Sequence, residues 1–478
     1  MAQGIVGGGS VGLFWGWIFV SVGITFMASS LAELVSMWPS AGGQYVWAAE
    51  VSPKKHKAII SWYVAWISIA GLWLGAISCG MGVAVQTQSY VAIARPYRMA
   101  RWHAFLINVA VLVIWVIFNL VYVKGIHWMN QSVLCIHVLG YFAVIITLAV
   151  CTDTKHDAKY VFTNFENSTG WSQDGIAWCI SLLPALFAFF SLDTASHYSE
   201  EIKDANIAVP RAMFLQAVLN GLMTIPFIIT VLFCIGDPLG VLYNSQIGFT
   251  SPFTQILFNS TGSPVAAIVL NTISSYVAFA AGLDLWGAAA RAMWSLARDG
   301  GLPPSFARIH PKFDVPIECL LAMAPPALII VMIYIFNTTA FYGIMAGVVV
   351  TFQLSYVIPI GLHLFYARRR LALTKGPWSL GRYGWAVDMV SFCFGIFMII
   401  FMSLPTYQPV TAATMNYTVA IIGCILLFAT VLYFVYARGR YNGPTIILDA
   451  VRVSTDVPVH TVEIGEEASK VQLQTKLA

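Results

Sequence analysis

An acidic and a basic side chain lie one helical turn apart in an apolar part of this chain. Asp193 and His197 are separated by four residues, so in a helix they share one face. Ionisable residues within a membrane are rare and usually functional. The pair predicts either contact between Asp193 and a cationic group or a proton relay between Asp193 and His197. The alternative is structural, because Asp193 also suits the N-cap of a helix that begins beside it.

Turn-forming residues around this pair predict an interrupted helix. Pro184 and the Ser191-Leu192-Asp193-Thr194 cluster interrupt the apolar run from 175 to 192, which leaves Asp193 near the start of a second half-helix. The N-terminus of a half-helix presents unpaired backbone N–H groups and a partial positive charge. A break of this kind, deep in an apolar environment, predicts a binding site for a solute.

Two further groups of side chains are candidates for a ligand site. Trp66 belongs to a stripe with Trp62 and Trp73, which predicts either an aromatic wall over a ligand ammonium group or ordinary packing. Ser274 and Ser275 offer oxygens to a substrate or an ion, or they form hydrogen bonds between helices. The residue types alone leave both alternatives open.

The elements that must position these residues are membrane-spanning helices. Charged residues make up 10% of the chain and apolar residues 59%, which excludes a soluble globular protein. Charge-free runs of one or two helix lengths predict eleven spans in an all-α integral membrane protein. The runs 319–367 and 389–437 must each fold back, at Asn337 and between residues 405 and 415.

The distribution of Lys and Arg predicts the orientation of the spans. If the first span ends in the cytoplasm, 20 of the 25 basic residues lie inside. We therefore expect residues 1–10 to be the remnant of an outer loop, residues 11–437 to form the transmembrane domain and residues 438–478 to form a cytoplasmic tail. Asn167 and Asn259 each begin an Asn-x-Ser/Thr triplet on the predicted outer side.

Sequence motifs for catalysis are absent from the chain. It contains no Gly-rich phosphate loop, no cluster of His and Cys ligands and no nucleophile elbow. We expect neither an enzyme nor an ATP-driven pump, and no catalytic residue, metal or cofactor. The expected partners are a small solute and membrane lipids rather than nucleic acid.

Several segments together resemble fungal members of the amino acid, polyamine and organocation permease superfamily, within the amino acid/choline branch that includes GABA permeases. The resemblance extends in order over nearly the whole chain. The matching segments are SLAELVSMWPSAGGQYVWAAEVSP at 30–53, SLDTASHYSEEIKDANIAVPRAM at 191–213, AARAMWSLARDGGLPPSFARIHPKFDVP at 289–316, KGPWSLGRYG at 375–384 and SLPTYQPVTAATMNYT at 403–418.

This resemblance implies a five-plus-five inverted-repeat fold whose discontinuous helices one and six hold the substrate at mid-depth. It also assigns roles to individual residues. Phe187 matches an aromatic lid, Asp193 an acidic position after the break, and Glu33 a cytoplasmic-end motif that gates or pairs with basic residues. The unwound backbone corresponds to Phe189, Phe190, Ser191 and Leu192.

The chain departs from the family pattern at its beginning. Family members start with a cytoplasmic tail and a first helix, whereas this chain starts at what resembles the loop after that helix. The odd number of spans agrees with this reading, and we expect a truncated gene model.

The leading hypothesis is a secondary active transporter of a small amine-bearing solute, such as an amino acid, GABA or choline. It works by alternating access, with coupling to H⁺ as the expected energy source, and the plasma membrane is favoured over the vacuole. The alternative is a non-transporting membrane sensor or partner protein that retains a truncated permease fold.

Overall fold

The computed structural model describes residues 1–444 apart from 122, 244–246, 249, 371–374 and 413. Most of the predicted tail, residues 445–478, lies outside the described residues. Within them the protein is all-α, with no strand. The fold class expected from the sequence is therefore confirmed.

The helices follow one another with short connections. Those in the first half of the chain are α1 (Ala2–Met37), α2 (Gln44–Glu50), α3 (Lys57–Ala94), α4 (Arg101–Val121), α5 (Val123–Cys151), α6 (Ala158–Thr163), α7 (Asp174–Ser181), α8 (Leu183–Phe187), α9 (Thr194–His197) and α10 (Ala205–Cys234). Those in the second half are α11 (Pro238–Tyr243), α12 (Pro252–Thr261), α13 (Pro264–Arg298), α14 (Ile317–Ala322), α15 (Ala324–Phe336), α16 (Thr338–Leu362), α17 (Arg368–Arg370), α18 (Gly384–Met402) and α19 (Thr418–Leu432). A π-helical segment, His363–Ala367, joins α16 to α17, and another, Tyr433–Ala437, continues α19.

Ten of the described helical segments are long and apolar enough to cross a membrane. The remaining predicted span, over the run from 175 to 192, corresponds to a shorter apolar segment, Asp174–Phe187. The two long charge-free runs fold back as expected. Helix α15 ends at Phe336 before α16 begins at Thr338, and α18 ends at Met402 well before α19 begins at Thr418.

The prediction of a loop over residues 1–10 is wrong, because α1 already begins at Ala2. The run of glycines suggested a loop, but only Gly9 leaves helical geometry, with φ 57° and ψ −142°. The other glycines allow close packing: a Cβ on Gly7 would lie 2.9 Å from the carbonyl oxygen of Ala177 in α7. Here tertiary packing outweighs the low helix propensity of glycine.

The long helices pack against both α8 and α9: α1 and α16 contact α8, and α10 and α13 contact α9. Helix α1 packs along α10 and against α7, α8 and α18, whereas α3 packs along α13 and against α16. Apolar side chains on the outer helices face outward, including Val150 on α5 and Leu427 on α19. An apolar exterior around a packed centre is typical of a protein that has lipid as its solvent.

Candidate functional site

The central helix is interrupted between Phe187, where α8 ends, and Thr194, where α9 begins. Ser191 has a left-handed φ of 65°, which a residue with a side chain seldom adopts. This conformation redirects the chain into α9, after the helical hydrogen bonds of α8 have already ended at Phe187. The predicted interruption around residues 189–193 is confirmed.

Asp193 lies at the end of this break with its carboxylate fully enclosed, at 0% exposure. Gln44 Nε2 donates to Oδ2, the Tyr356 hydroxyl donates to Oδ1, and His197 Nε2 lies 2.9 Å from Oδ2. Asp193 occupies the N-cap position of α9, but its side chain makes no capping hydrogen bond. The carboxylate therefore acts in tertiary contacts rather than as a helix cap.

The contacts of His197 place a shared hydrogen between its ring and the Asp193 carboxylate. His197 Nδ1 lies 2.7 Å from the carbonyl oxygen of Ala41, which can only accept, so Nδ1 carries a hydrogen. A neutral imidazole then has no hydrogen left for Nε2, which faces the Asp193 carboxylate. One further proton is needed between the two groups, either on the imidazole or on the carboxyl group.

A glycine allows this close approach of the α2 segment to α9. Gly43 has φ 58°, and a Cβ there would lie 2.9 Å from His197 Cε1 and 3.0 Å from Ser196 Oγ. Gly43 directly precedes Gln44, which also accepts a hydrogen bond of 3.0 Å from Ser68 Oγ of α3. The turn at Gly43 thus brings α3 and α9 into one network.

Two of the predicted aromatic residues lie together near the break. The Phe187 and Phe190 ring centroids are 4.8 Å apart, and Phe190 lies 5.7 Å from the ring of Phe352 on α16. A Cβ on Gly75 of α3 would lie 3.0 Å from the Phe190 ring and 3.5 Å from Leu285 of α13. Phe190 therefore lies where α3, α13 and α16 converge on the broken helix.

The other predicted residues of the unwound segment, Phe189, Ser191 and Leu192, do not face the Phe187–Phe190 pair. Phe189 is buried against Trp17 of α1, with ring centroids 4.9 Å apart. Leu192 is buried, and the Ser191 hydroxyl is hydrogen-bonded to that of Thr194 within the turn. Because successive residues of an unwound segment point in different directions, the segment is divided between a packing face and an open face.

The structure does not bring Trp66 to the break. Its ring packs edge-on against Phe428 of α19, at 5.0 Å, and against Trp62, at 5.9 Å. Trp62 in turn donates a hydrogen bond of 2.8 Å to the carbonyl oxygen of Ala429. These contacts favour the packing interpretation of the tryptophan stripe.

Ser274 and Ser275 also lie away from the break. Ser275 is hydrogen-bonded to Tyr90 and to Gln86 near the far end of α3. It precedes Leu285, which lies beside Phe190, by ten residues, or about 15 Å of helix. The interpretation as hydrogen bonds between helices fits Ser275.

Glu33 pairs with a basic residue, as expected. Its Oε2 accepts from Arg368 Nη2, and its Oε1 accepts from the Leu380 N–H at 3.1 Å. Arg368 Nε also donates to Asp388 Oδ2 at 2.7 Å, so α1 and α18 share one guanidinium group. Glu33 lies outside the network around Asp193.

A cavity lies at each end of the broken helix. The first, of about 510 Å³, is at the end of the bundle where α1 begins and is lined by Phe187, Ala346, Met402 and other residues. The second, of about 730 Å³, is at the opposite end and is bordered by His197, whose own ring is solvent-inaccessible. The break therefore separates two cavities on opposite sides of the molecule.

Comparison with known proteins identifies the family to which this chain belongs. The amino acid permease family profile matches residues 1–428. The chain belongs to the amino acid permease family. It is 30% identical over 426 residues to a choline transporter of Saccharomyces cerevisiae, covering 88% of this chain and 74% of that protein.

Two further relatives extend this comparison. Amino-acid permease 2 of Neurospora crassa is 27% identical over 96% of this chain and 84% of its own length. The GABA-specific permease of Saccharomyces cerevisiae is 28% identical over 92% of this chain and 78% of its own length. The protein is thus a permease with the all-α fold of this transporter family.

Beside the second cavity of the permease, ion pairs join the residues that directly follow α9 to α13. Arg298 makes a two-pronged contact with Glu200, at 2.8 and 2.9 Å. Arg291 Nε contacts Glu201 at 2.5 Å, and its guanidinium lies 4.2 Å above the Tyr198 ring. We call the Glu200–Arg298 and Glu201–Arg291 pairs the α9–α13 latch.

Two residues of the permease site were not found from the sequence. Gln44 lies in one of the segments that resemble the permease family, directly after two glycines. This position was the feature of the sequence that could have indicated a role in the site. Tyr356 lies in a long charge-free run of apolar residues, where nothing in its neighbours marks it. Its contact with Asp193 arises only when α16 packs against the break.

Proposed function

We propose that this permease moves a small amine-bearing solute, such as an amino acid, GABA or choline, by alternating access coupled to H⁺. The observation that carries the proposal is the break in the central helix with a cavity on each side. Phe187 lines the first cavity and His197 borders the second. Only local movement of the segment between them is needed to connect the break with one side or the other.

Ring faces at the break suit the positively charged end of such a solute. Phe187 and Phe190 are both partly exposed beside the buried ring of Phe352. An ammonium group held over aromatic faces gains cation–π attraction, which is strongest where water is excluded. We therefore assign Phe187 and Phe190 to contacts with the solute.

Asp193 serves better as a proton site than as a direct partner of the solute. Its carboxylate already receives hydrogen bonds from Gln44 and Tyr356 and is enclosed with His197. A solute ammonium would have to displace one of these donors. The proton shared by Asp193 and His197, beside the second cavity, supports coupling to a proton gradient.

The orientation follows from the positive-inside rule. We propose that the cavity bordered by His197 opens to the cytoplasm, because the basic residues of the predicted inner loops lie at that end. The C-terminal tail is then cytoplasmic. The plasma membrane is the proposed location, since uptake of small amine nutrients takes place there.

Uptake of labelled choline, GABA and amino acids into transport-deficient cells tests the proposal. We expect saturable uptake of at least one of them, a lower affinity in Phe190→Ala, and unchanged uptake in the control Ser274→Ala. A cell-surface assay confirms delivery of each variant. Surface-delivered protein that moves none of these solutes would favour the sensor or partner alternative, for which the similarity to known permeases provides no support.

A further inference from the structure

Four ionisable side chains from α1, the π-helical segment, α17 and α18 meet far from the break, at the end of the bundle where α1 finishes. They are Glu33, His363, Arg368 and Asp388, and we call them the α1–α18 clasp. Arg368 bridges the two carboxylates, and His363 Nδ1 lies 3.0 Å from Asp388 Oδ2. The permease mechanism proposed above does not use this cluster.

The charges of the clasp do not balance without a proton. Glu33 and Asp388 are buried and together carry two negative charges, whereas Arg368 carries one positive charge. A buried charge without a partner is strongly destabilising. A second positive charge would balance the clasp, and His363, whose buried Nδ1 lies 3.0 Å from Asp388 Oδ2, is placed to carry it by binding a proton.

Other charged groups around His363 do not supply that charge. The π-helical segment that contains His363 packs against α16, α17 and α18. Arg369 and Arg370 of α17 are exposed, and Tyr356 of α16 belongs to the Asp193 network. The charged residue of α18 is Asp388, which already belongs to the clasp. The other titratable residue of this helix, Cys393, is exposed.

The loop that covers the clasp adds no balancing charge either. Leu380 donates its N–H to Glu33, as does the hydroxyl of Ser379 at 3.3 Å. Lys375 of this loop is exposed, and Arg382 donates to the Tyr383 hydroxyl at 2.6 Å. Both polar contacts favour an ionised Glu33, which leaves His363 and Asp388 to share the proton.

We propose that the α1–α18 clasp is a second proton-binding site, in which one proton held by His363 and Asp388 keeps α1 attached to α18. With the proton bound, the four side chains are neutral overall. When the proton leaves, one negative charge stays buried and the clasp weakens. The site is separate from the Asp193–His197 pair and does not depend on the identity of the solute.

A proton suits the site better than a metal ion. Ligand atoms of Glu33, His363 and Asp388 lie within 4.8 Å of one another, which is close enough to surround a cation. However, Arg368 already contacts one oxygen of each carboxylate. A divalent cation would have to displace this guanidinium against charge repulsion.

The thermal unfolding of the purified full-length chain between pH 5.5 and 8.5 tests this proposal. We expect the wild-type Tm to fall by several degrees as the pH rises. In Asp388→Asn, Arg368 and Glu33 balance each other, so the part of this fall that the clasp contributes should disappear and the Tm should stay high at high pH. In His363→Gln the Tm should be low throughout. The control His197→Gln should keep the pH dependence that the clasp contributes.

Three results would overturn the proposal. The first is a pH dependence of the Tm in Asp388→Asn and His363→Gln that is as large as in the wild type. The second is a wild-type Tm that does not change with pH. The third is stabilisation by added Zn²⁺ or Mn²⁺ that is lost in His363→Gln, because this would identify a metal site in place of the proton site.

Discussion

His197 has one nitrogen committed to a backbone carbonyl and the other directed at a carboxylate. The contact with Ala41 makes Nδ1 a donor, and Asp193 lies 2.9 Å from Nε2. Taken together, the two contacts place one hydrogen on Nδ1 and a second between Nε2 and the Asp193 carboxylate. This geometry leads to a direct test of proton coupling.

Replacing His197 with Gln should uncouple transport from the proton gradient. Gln can donate through its amide to Asp193, but it cannot take up a proton. We expect accumulation against a gradient to be lost, while exchange of labelled for unlabelled solute continues. Measuring both in vesicles with and without an imposed pH gradient checks this. Accumulation equal to that of the wild type would show that the coupling proton binds elsewhere.

Gly43 should tolerate no side chain. Its φ of 58° with ψ of −124° and the 2.9 Å approach to His197 would make Gly43→Ala strained and crowded, with a loss of stability of about 1–3 kcal/mol from the backbone conformation alone. Gly82→Ala is the matched control, because a Cβ there has open space around it in α3. We expect the Tm of Gly43→Ala to be lower than that of Gly82→Ala, and equal Tm values would contradict this prediction.

At the scale of elements, the sequence was sufficient to predict the break and ten of the eleven expected spans among the described residues. Runs without charge identify membrane helices because a charge in lipid is costly, and Pro184 with the Ser191–Thr194 cluster marked the interruption. The prediction of a loop at the glycine-rich start of α1 was wrong, because the low helix propensity of glycine does not account for packing against Ala177. Local composition thus predicts where a helix spans better than where it begins.

The contacts between elements were harder to predict. Helical spacing placed Asp193 and His197 on one face, but Gln44 and Tyr356 approach them from α2 and α16. Residue spacing within one helix holds no information about which residue of another helix will face it. For the same reason Trp66 resembled a ligand wall until its packing against α19 was known.

The α9–α13 latch should control access to the second cavity. Arg298→Gln removes the two-pronged contact with Glu200. We expect a Cys introduced at Ala41, on the wall of this cavity, to react several-fold faster with a hydrophilic thiol reagent in Arg298→Gln than with Arg298 present. Protein without the introduced Cys provides the background, and an unchanged rate would show that the latch does not hold the cavity closed.

The latch should also respond to acid in a defined direction. Burial raises the pKa of Glu200, but hydrogen bonds and charge attraction from Arg298, with the N–H of Ala41, outweigh it and leave the pKa below its ordinary value. The stabilisation is therefore present above the ordinary Glu pKa and is lost as the pH falls through the lowered one. The labelling rate divided by that of the same Cys in Arg298→Gln, which cancels the change in thiolate fraction with pH, should be constant from pH 6 to 8 and rise only in stronger acid.

At the scale of the whole molecule, the proposed orientation places α12 outside the cell. Asn259 of α12 is exposed, whereas the side-chain amide of Asn167 donates to the Trp171 carbonyl and to Asp174. We expect a glycan on Asn259, seen as a glycosidase-sensitive shift on a gel that Asn259→Gln abolishes and Asn167→Gln retains. A cysteine at Lys312 that labels from outside intact cells would reverse the orientation.

The charge on the Asp193–His197 pair has a consequence for how membrane voltage acts on the permease. In the proposed proton-coupled cycle the pair is electrically neutral with its proton, so a carrier loaded with a zwitterion reorients without moving net charge. Without the proton the pair carries one negative charge, and the return of the empty carrier becomes electrogenic. A hyperpolarised membrane, worth about 2.3 kcal/mol per charge and 100 mV, would then drive that return step and raise the maximal turnover rather than the affinity.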